Sequence, residues 1–309
     1  MNDRKKERVR KILSWVLAGF TGVILSVAVL FLFFGKVVCK SEVWHEEALK
    51  TDYAEKMRAL VKEQYSSISL TTGVPAELSD AYVEKALTDE IALYAFTHPE
   101  TRNEIDLSDF REGFLAEVRT LAAKMEENGE IYLSSEEERE EMDGALQGLA
   151  DDYTQTLRNS VLLRGVFSGL AAAKGYYDSL KLYVYGALAL FGVISLALLF
   201  LINKKRVFPY LYAAFSSAGV LLIGLTAGIR IWNGVPRLSV EPDYLKDWIV
   251  ALSGRFLTDT MIAGAALLAA GLLFGAAAMI VKRKTTTPEN ASGEEKTKKT
   301  DENNDHQRI

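Results

Sequence analysis

The chain has 309 residues, a net charge of −5 and 49% hydrophobic residues, with a single cysteine, Cys39. One thiol excludes an intramolecular disulfide, a Cys-x-x-Cys redox pair and a cysteine-rich zinc site. The averages conceal a strongly uneven chain: the apolar residues gather in four long runs and the acids between the first two.

The first run, residues 12–35, carries no charge and follows Arg4, Lys5, Lys6, Arg8, Arg10 and Lys11. At about 1.5 Å per residue such a helix spans the roughly 30 Å hydrocarbon core of a bilayer. Lys and Arg before a span favour the cytoplasmic side, so residues 1–11 are expected inside the cell. The run is longer than the apolar part of a cleaved signal peptide, and its exit, Gly35-Lys36-Val37-Val38-Cys39, offers no small-x-small cleavage site. An uncleaved signal anchor is the expectation.

Residues 36–181 are then expected to form a helical extracytoplasmic domain. Between residues 40 and 181 there are 29 acidic and 15 basic side chains, a net of −14. Spacing predicts four helices there. The first, about 42–66, carries Leu49, Tyr53, Met57, Leu60 and Ile68 in steps of mostly three, four or twice four and could continue straight from the first span. The second, about 79–97, stops before Pro99, which pushes His98 off helical angles. The third carries Leu107, Phe110, Phe114, Val118, Leu121 and Met125 in steps of three and four, one buried stripe. Asp106 is its expected N-cap and Asn128-Gly129 its stop. The fourth opens on Ser135-Glu136-Glu137-Glu138, a capping-box pattern. Residues 161–173 are apolar apart from Arg164 but too short to span, so they read as core or as a helix grazing the membrane.

The second and third spans are expected at 182–202 and 207–229, joined by residues 203–206 with Lys204, Lys205 and Arg206 on the cytoplasmic side. Residues 230–257 read as an outer loop with a short amphipathic helix, and Trp232, Tyr244 and Trp248 as headgroup-region aromatics. The fourth span, 258–281, exits at Lys282, Arg283 and Lys284. The tail, 282–309, is nearly free of apolar residues and expected to be disordered. The fold class is therefore all-α: four transmembrane helices with a bundle-like helical domain inserted between the first and second.

Chemistry is sparse in this sequence. The spans carry almost no ionisable groups and no broken helices of the kind transporters use, and Asp259, at the outer edge of the fourth, reads as a helix-start or interfacial residue. They carry small residues instead, and Gly224-x-x-x-Gly228 and Gly271-x-x-x-Gly275 are the expected helix-packing sites. That pattern favours packing within one chain and leaves a homo-oligomer open. His45-Glu46-Glu47 lacks the second histidine of a zinc-protease helix, because Leu49 stands there. His98 lies near Glu100, Glu104, Asp106 and Asp109 without calcium-loop spacing. The acidic run 136–141 reads as a solvated helix face. No cofactor, metal or catalytic set is expected, and an acidic surface is the wrong sign for nucleic acid. The absence of a sequon from the outer segment, the only one being Asn290-Ala-Ser292, points with the missing disulfides to a bacterial envelope. The function expected is non-enzymatic: the outer domain binds a protein partner or ligand as sensor, scaffold or accessory subunit, held in the lipid bilayer. Two alternatives are a membrane enzyme working at the outer face and a subunit resembling ABC permeases in topology. The four-residue cytoplasmic turn leaves no coupling segment for the latter.

Overall fold

The computed structural model describes residues 3–72, 74–97, 105–162, 164–202, 207–232, 234–237 and 239–286, and among these every regular element is helical. In chain order they are α1 (Asp3–Phe33), a π-turn (Phe34–Val38), α2 (Ser41–Lys50), α3 (Tyr53–Thr72), α4 (Ala76–Ala86), α5 (Asp89–Ala92) and α6 (Tyr94–Thr97). There follow α7 (Ser108–Glu127), α8 (Glu136–Leu162), α9 (Arg164–Ile202), α10 (Val207–Trp232) and α11 (Asp243–Thr286). The chain divides into two compact units. One gathers residues 1–33, 180–232 and 257–309; the other gathers 34–179 and 233–256.

The first unit carries long apolar helices. Among the described residues, four stretches are long and apolar enough to cross a membrane: Lys11–Val38, Val207–Trp232, Asp243–Lys282, and one within Glu136–Ser195. Ser14, Ala18, Gly22 and Ser26 form a buried stripe of small residues at four-residue steps on α1. Small side chains let helix backbones approach, and the freed hydroxyls then bond across the seam. Ser26 Oγ donates to the Ala218 carbonyl of α10 at 3.3 Å, and Thr21 shares a hydrogen bond with the Tyr210 hydroxyl. Phe31 meets Tyr185 of α9 edge-on at 5.9 Å. Large apolar side chains such as Phe20, Leu190, Leu221 and Leu273 point away from these seams and are exposed, as lipid-facing positions are.

The second unit has a water-soluble kind of core. Tyr53, Met57, Val61, Tyr65 and Ser69 recur at four-residue steps on α3 and are all buried. An aromatic cluster centres on Phe96, which meets Tyr53, Phe167 and Trp248 edge-on at 4.9, 5.0 and 5.1 Å. Phe114 stacks on Tyr153 at 4.5 Å. Such pairs add to plain area burial because the edge of one ring faces the π-cloud of another. The Tyr65 hydroxyl donates to the Tyr153 carbonyl at 2.6 Å, so the hydroxyl enters the core with its partner.

Several expectations are corrected here. The span does not run on into the next helix: a π-turn and an extended Lys40 intervene. The 42–66 helix is broken at Asp52, whose φ of 53° is left-handed. The 79–97 helix is three pieces, and Thr88 caps the middle one by accepting from the Ile91 amide at 3.4 Å. Asp106 sits one residue early, with Leu107 in the cap position, while its Oδ1 accepts from the Ser108 amide and hydroxyl. The capping box at Ser135 is present in reciprocal form: the Glu138 amide donates to Ser135 Oγ at 3.1 Å, and the Ser135 amide to Glu138 Oε2 at 3.2 Å. On α7, Phe110, Phe114 and Val118 are buried, but Leu121 and Met125 only partly, because α7 and α8 run beyond the core at that end. Residues 161–173 belong to the core at Val161, Leu162 and Phe167.

The largest correction concerns Tyr244 and Trp248. Both were expected at the headgroup level, yet they are 3% and 1% exposed inside the second unit. Their helix is the first part of the 44-residue α11, and its apolar face packs on protein. An amphipathic stripe says that a face is covered, not by what.

Candidate binding groove

The second unit carries an open groove of about 1130 Å³ with three walls. The longest is α3. Next to its core stripe lies a second one, Lys56, Ala59, Leu60, Glu63, Gln64, Ser67 and Ile68, which lines the groove in alternating steps of three and one. Helix α8 supplies Thr156, Asn159 and Ser160. The third wall is Glu241, Pro242 and the first turn of α11 to Asp247.

That third wall is fixed by two contacts. Tyr244 lies edge-on to Tyr53 at 4.8 Å, and its hydroxyl donates to the Ser160 carbonyl at 3.4 Å. Burial pushes the Tyr244 hydroxyl up to about 12, so it stays a donor at physiological pH. The Pro242 carbonyl accepts the Leu245 and Lys246 amides at 3.0 and 3.3 Å, which starts the helix at the groove's edge. Across the groove, Lys56 Nζ donates to Asp247 Oδ2 at 2.6 Å, and that bond raises the ammonium above its ordinary value.

Among the described lining residues there are four carboxylates, Glu63, Glu241, Asp243 and Asp247, against the one cation Lys56. The formal balance is −3. The half-buried floor mixes apolar Leu60, Ile68 and Pro242 with the amide of Gln64. Such a surface can attract cations and hydrogen-bond a main chain.

A separate charge node ties α2 to α11. Arg255 Nη1 donates to Glu46 Oε2 at 2.6 Å and Glu47 Oε1 at 2.8 Å, and Lys50 Nζ reaches the same two acids at 3.0 and 2.9 Å. Arg255 foremost, then Lys50, holds the Glu46 carboxyl below its ordinary value. Glu47 is buried, so this node is a tie within the core's rim and not a site. Among the described residues no group of three His, Cys, Asp or Glu side chains is placed to hold a metal. His98, Glu100 and Glu104 lie outside the described residues.

The residues singled out from sequence fall as follows. A Cβ on Gly271 would lie 2.4 Å from Ser216 Oγ, and one on Gly275 3.0 Å from Tyr212, so both face close neighbours. Gly224 and Gly228 face nothing within 4 Å. The closest backbone approach among the described glycines lies elsewhere: a Cβ on Gly219 would lie 2.7 Å from the Gly264 carbonyl. Gly22 was not among the expected packing sites either, although Ser14-x-x-x-Ala18-x-x-x-Gly22-x-x-x-Ser26 is a stronger small-residue pattern than either glycine pair. Arg4, Lys5, Lys6 and Arg10 lie in the first turns of α1, with Arg8 and Lys11 exposed there. Lys282, Arg283 and Lys284 lie in the last turns of α11, and Lys204, Lys205 and Arg206 are outside the described residues. Trp232 ends α10 and is 71% exposed. The groove itself was missed, because it joins residues 56–68, 156–160 and 241–247, and only the α3 stripe is visible locally.

No protein-family model, no curated protein and no solved structure matches the chain.

Proposed function

We propose that this is a non-enzymatic membrane protein of a bacterial envelope that binds a protein partner through the acidic groove of its second unit. In this proposal both termini are cytoplasmic and the unit built from 34–179 and 233–256 is extracytoplasmic. The basic residues before α1 and at the end of α11 support that orientation, because Lys and Arg are retained on the cytoplasmic side. The observation that carries the binding role is the groove: three walls, an accessible floor and a −3 balance of charge. Acidic surfaces steer cationic partners, and the attraction is screened over about 8 Å at physiological salt.

The test is photo-crosslinking in cells with the full-length chain. A photoreactive amino acid is placed at Asn159 in the groove and, separately, at Tyr132, which is exposed between α7 and α8. One discrete heavier species from Asn159, absent from Tyr132, is the expected outcome. Equal adducts at both positions, or none at Asn159 in a correctly inserted chain, would overturn the proposal.

A further inference from the structure

We infer that the occupant of the groove is a Lys/Arg-bearing peptide segment of the partner, laid lengthwise along α3. This rests on the partner-binding proposal above and narrows it. The α3 wall runs from Lys56 to Ile68 along one helix face. At about 1.5 Å per residue that face is about 18 Å long, the length of about twelve residues of helical peptide. Its dimensions are those of a chain segment.

Charge and floor chemistry then select the kind of chain. Lys56 is held by Asp247, which leaves Glu63, Glu241 and Asp243 to meet cations brought by the occupant. All three are exposed, so they can do so at little desolvation cost. Leu60 and Ile68 lie two turns apart on the floor and are half-buried, which offers purchase for apolar side chains at the same spacing. A small polyamine would satisfy the carboxylates but leave Leu60 and Ile68 uncovered. An anionic lipid headgroup or nucleic acid would be repelled by the rim. A peptide carrying Lys or Arg beside one or two apolar residues satisfies both features together.

The probe is a fluorescent peptide of about twelve residues, with Lys on each helical turn and two Leu on one face. It is titrated by anisotropy against the full-length chain in phosphatidylcholine nanodiscs. Binding should weaken as salt rises. The double variant Glu63→Lys/Asp243→Lys should weaken it by about tenfold or more. Glu137→Lys/Glu141→Lys changes the net charge equally, about 22–34 Å from the groove's α8 wall along that helix, and should leave binding within about twofold. As a second readout, Ser67→Cys places an exposed thiol in the groove, and the peptide should slow its reaction with maleimide. Buried Cys39 does not compete in that assay.

Equal losses in the two charge-reversed variants would overturn the inference, and so would an unprotected Ser67→Cys thiol. Displacement of the peptide by spermidine at matched charge would replace the peptide with a polyamine. If the peptide fails to bind while Asn159 still crosslinks one partner, this inference falls and the partner-binding proposal stands. If both signals are absent, both fall.

Discussion

The indole N–H of Trp248 donates to the backbone carbonyl of Trp44 at 3.0 Å, across 204 positions of sequence. Trp44 in turn donates its own indole N–H to the Val38 carbonyl at 2.9 Å. Two buried indoles thus join the π-turn, α2 and α11 in one chain of bonds. Each tryptophan brings a large apolar area and satisfies its single donor on main chain.

Trp248→Ala should therefore cost about 3–5 kcal/mol, the usual range for emptying a core aromatic. Trp248→Phe should cost less, about 0.5–1.5 kcal/mol, by removing the indole donor from the Trp44 carbonyl, which keeps its place in the α2 hydrogen-bond ladder. Thermal unfolding of the detergent-solubilised full-length chain should rank wild type above Trp248→Phe above Trp248→Ala. Equal melting of the two variants would mean that the hydrogen bond contributes nothing.

On α7, Phe114→Ala should destabilise far more than Leu121→Ala, because Phe114 is fully buried and Leu121 is not. The first should fall in the range of about 3–5 kcal/mol. The same melting assay, with the exposed Glu117→Ala as reference, measures the difference.

Cys39 is 6% exposed and burial pushes its thiol up from 9.0 to about 11. Only the thiolate reacts, so at neutral pH its reactive fraction falls about a hundredfold from that shift alone. Maleimide labelling of the native chain should be slow at pH 7 and become fast only after unfolding. A Tyr132→Cys variant, 88% exposed at that position, supplies the topology probe that Cys39 cannot. Under the proposed orientation a membrane-impermeant maleimide should label it in intact cells.

Arg255→Ala should remove the guanidinium shared by Glu46 and Glu47 and leave buried Glu47 with Lys50 alone. A loss of about 2 kcal/mol is expected, and Arg255→Lys should recover part of it. The acid side follows from direction. Partners hold the carboxyls of Glu46, Glu84, Asp143 and Asp151 below their ordinary values. Their stabilisation is complete above the ordinary carboxylate range and is lost as pH falls through the lowered values. Melting temperature should be flat near neutrality and drop at acid pH, with a smaller drop in Arg255→Ala.

Among the apolar helices, Gly219→Ala should lower the melting temperature, since a Cβ there meets the backbone of Gly264 and Leu268 at 2.7 Å. Gly224→Ala, which meets nothing within 4 Å, should be neutral or favourable. A reversed order would mean that α10 packs on another face.

What the sequence made legible was local. The α7 stripe, the Ser135 capping box and the apolar runs each need only the residues within a few helical turns. Asp52 was invisible, because neither neighbour is glycine or proline and the left-handed turn is imposed by how α2 and α3 pack. Trp248 was misassigned for a related reason. Its stripe, Leu245, Trp248 and Leu252, would suit a bilayer interface equally well, and only Phe96 and Trp44, from distant sequence, decide between the two. The small-residue seam of α1 was readable in principle, but glycine pairs drew attention from the Ser-Ala-Gly-Ser series.

Building one core from residues 34–179 and 233–256 also sets an order of events in time. A chain made from its N-terminus onward has Trp44, Tyr53 and Phe96 in place long before Trp248 exists. The 86 residues between Leu162 and Trp248 take on the order of ten seconds at ~5–20 residues per second. Throughout that interval Phe96 lacks one ring neighbour, the Trp44 carbonyl lacks its second, indole donor, and α3 lacks the Tyr244 ring that covers Tyr53. The nascent unit thus exposes the kind of apolar surface that chaperones bind until Trp248 of α11 has been made. A chain released before residue 243 is left permanently unfinished, and a protease that surveys exposed aromatics would find it first.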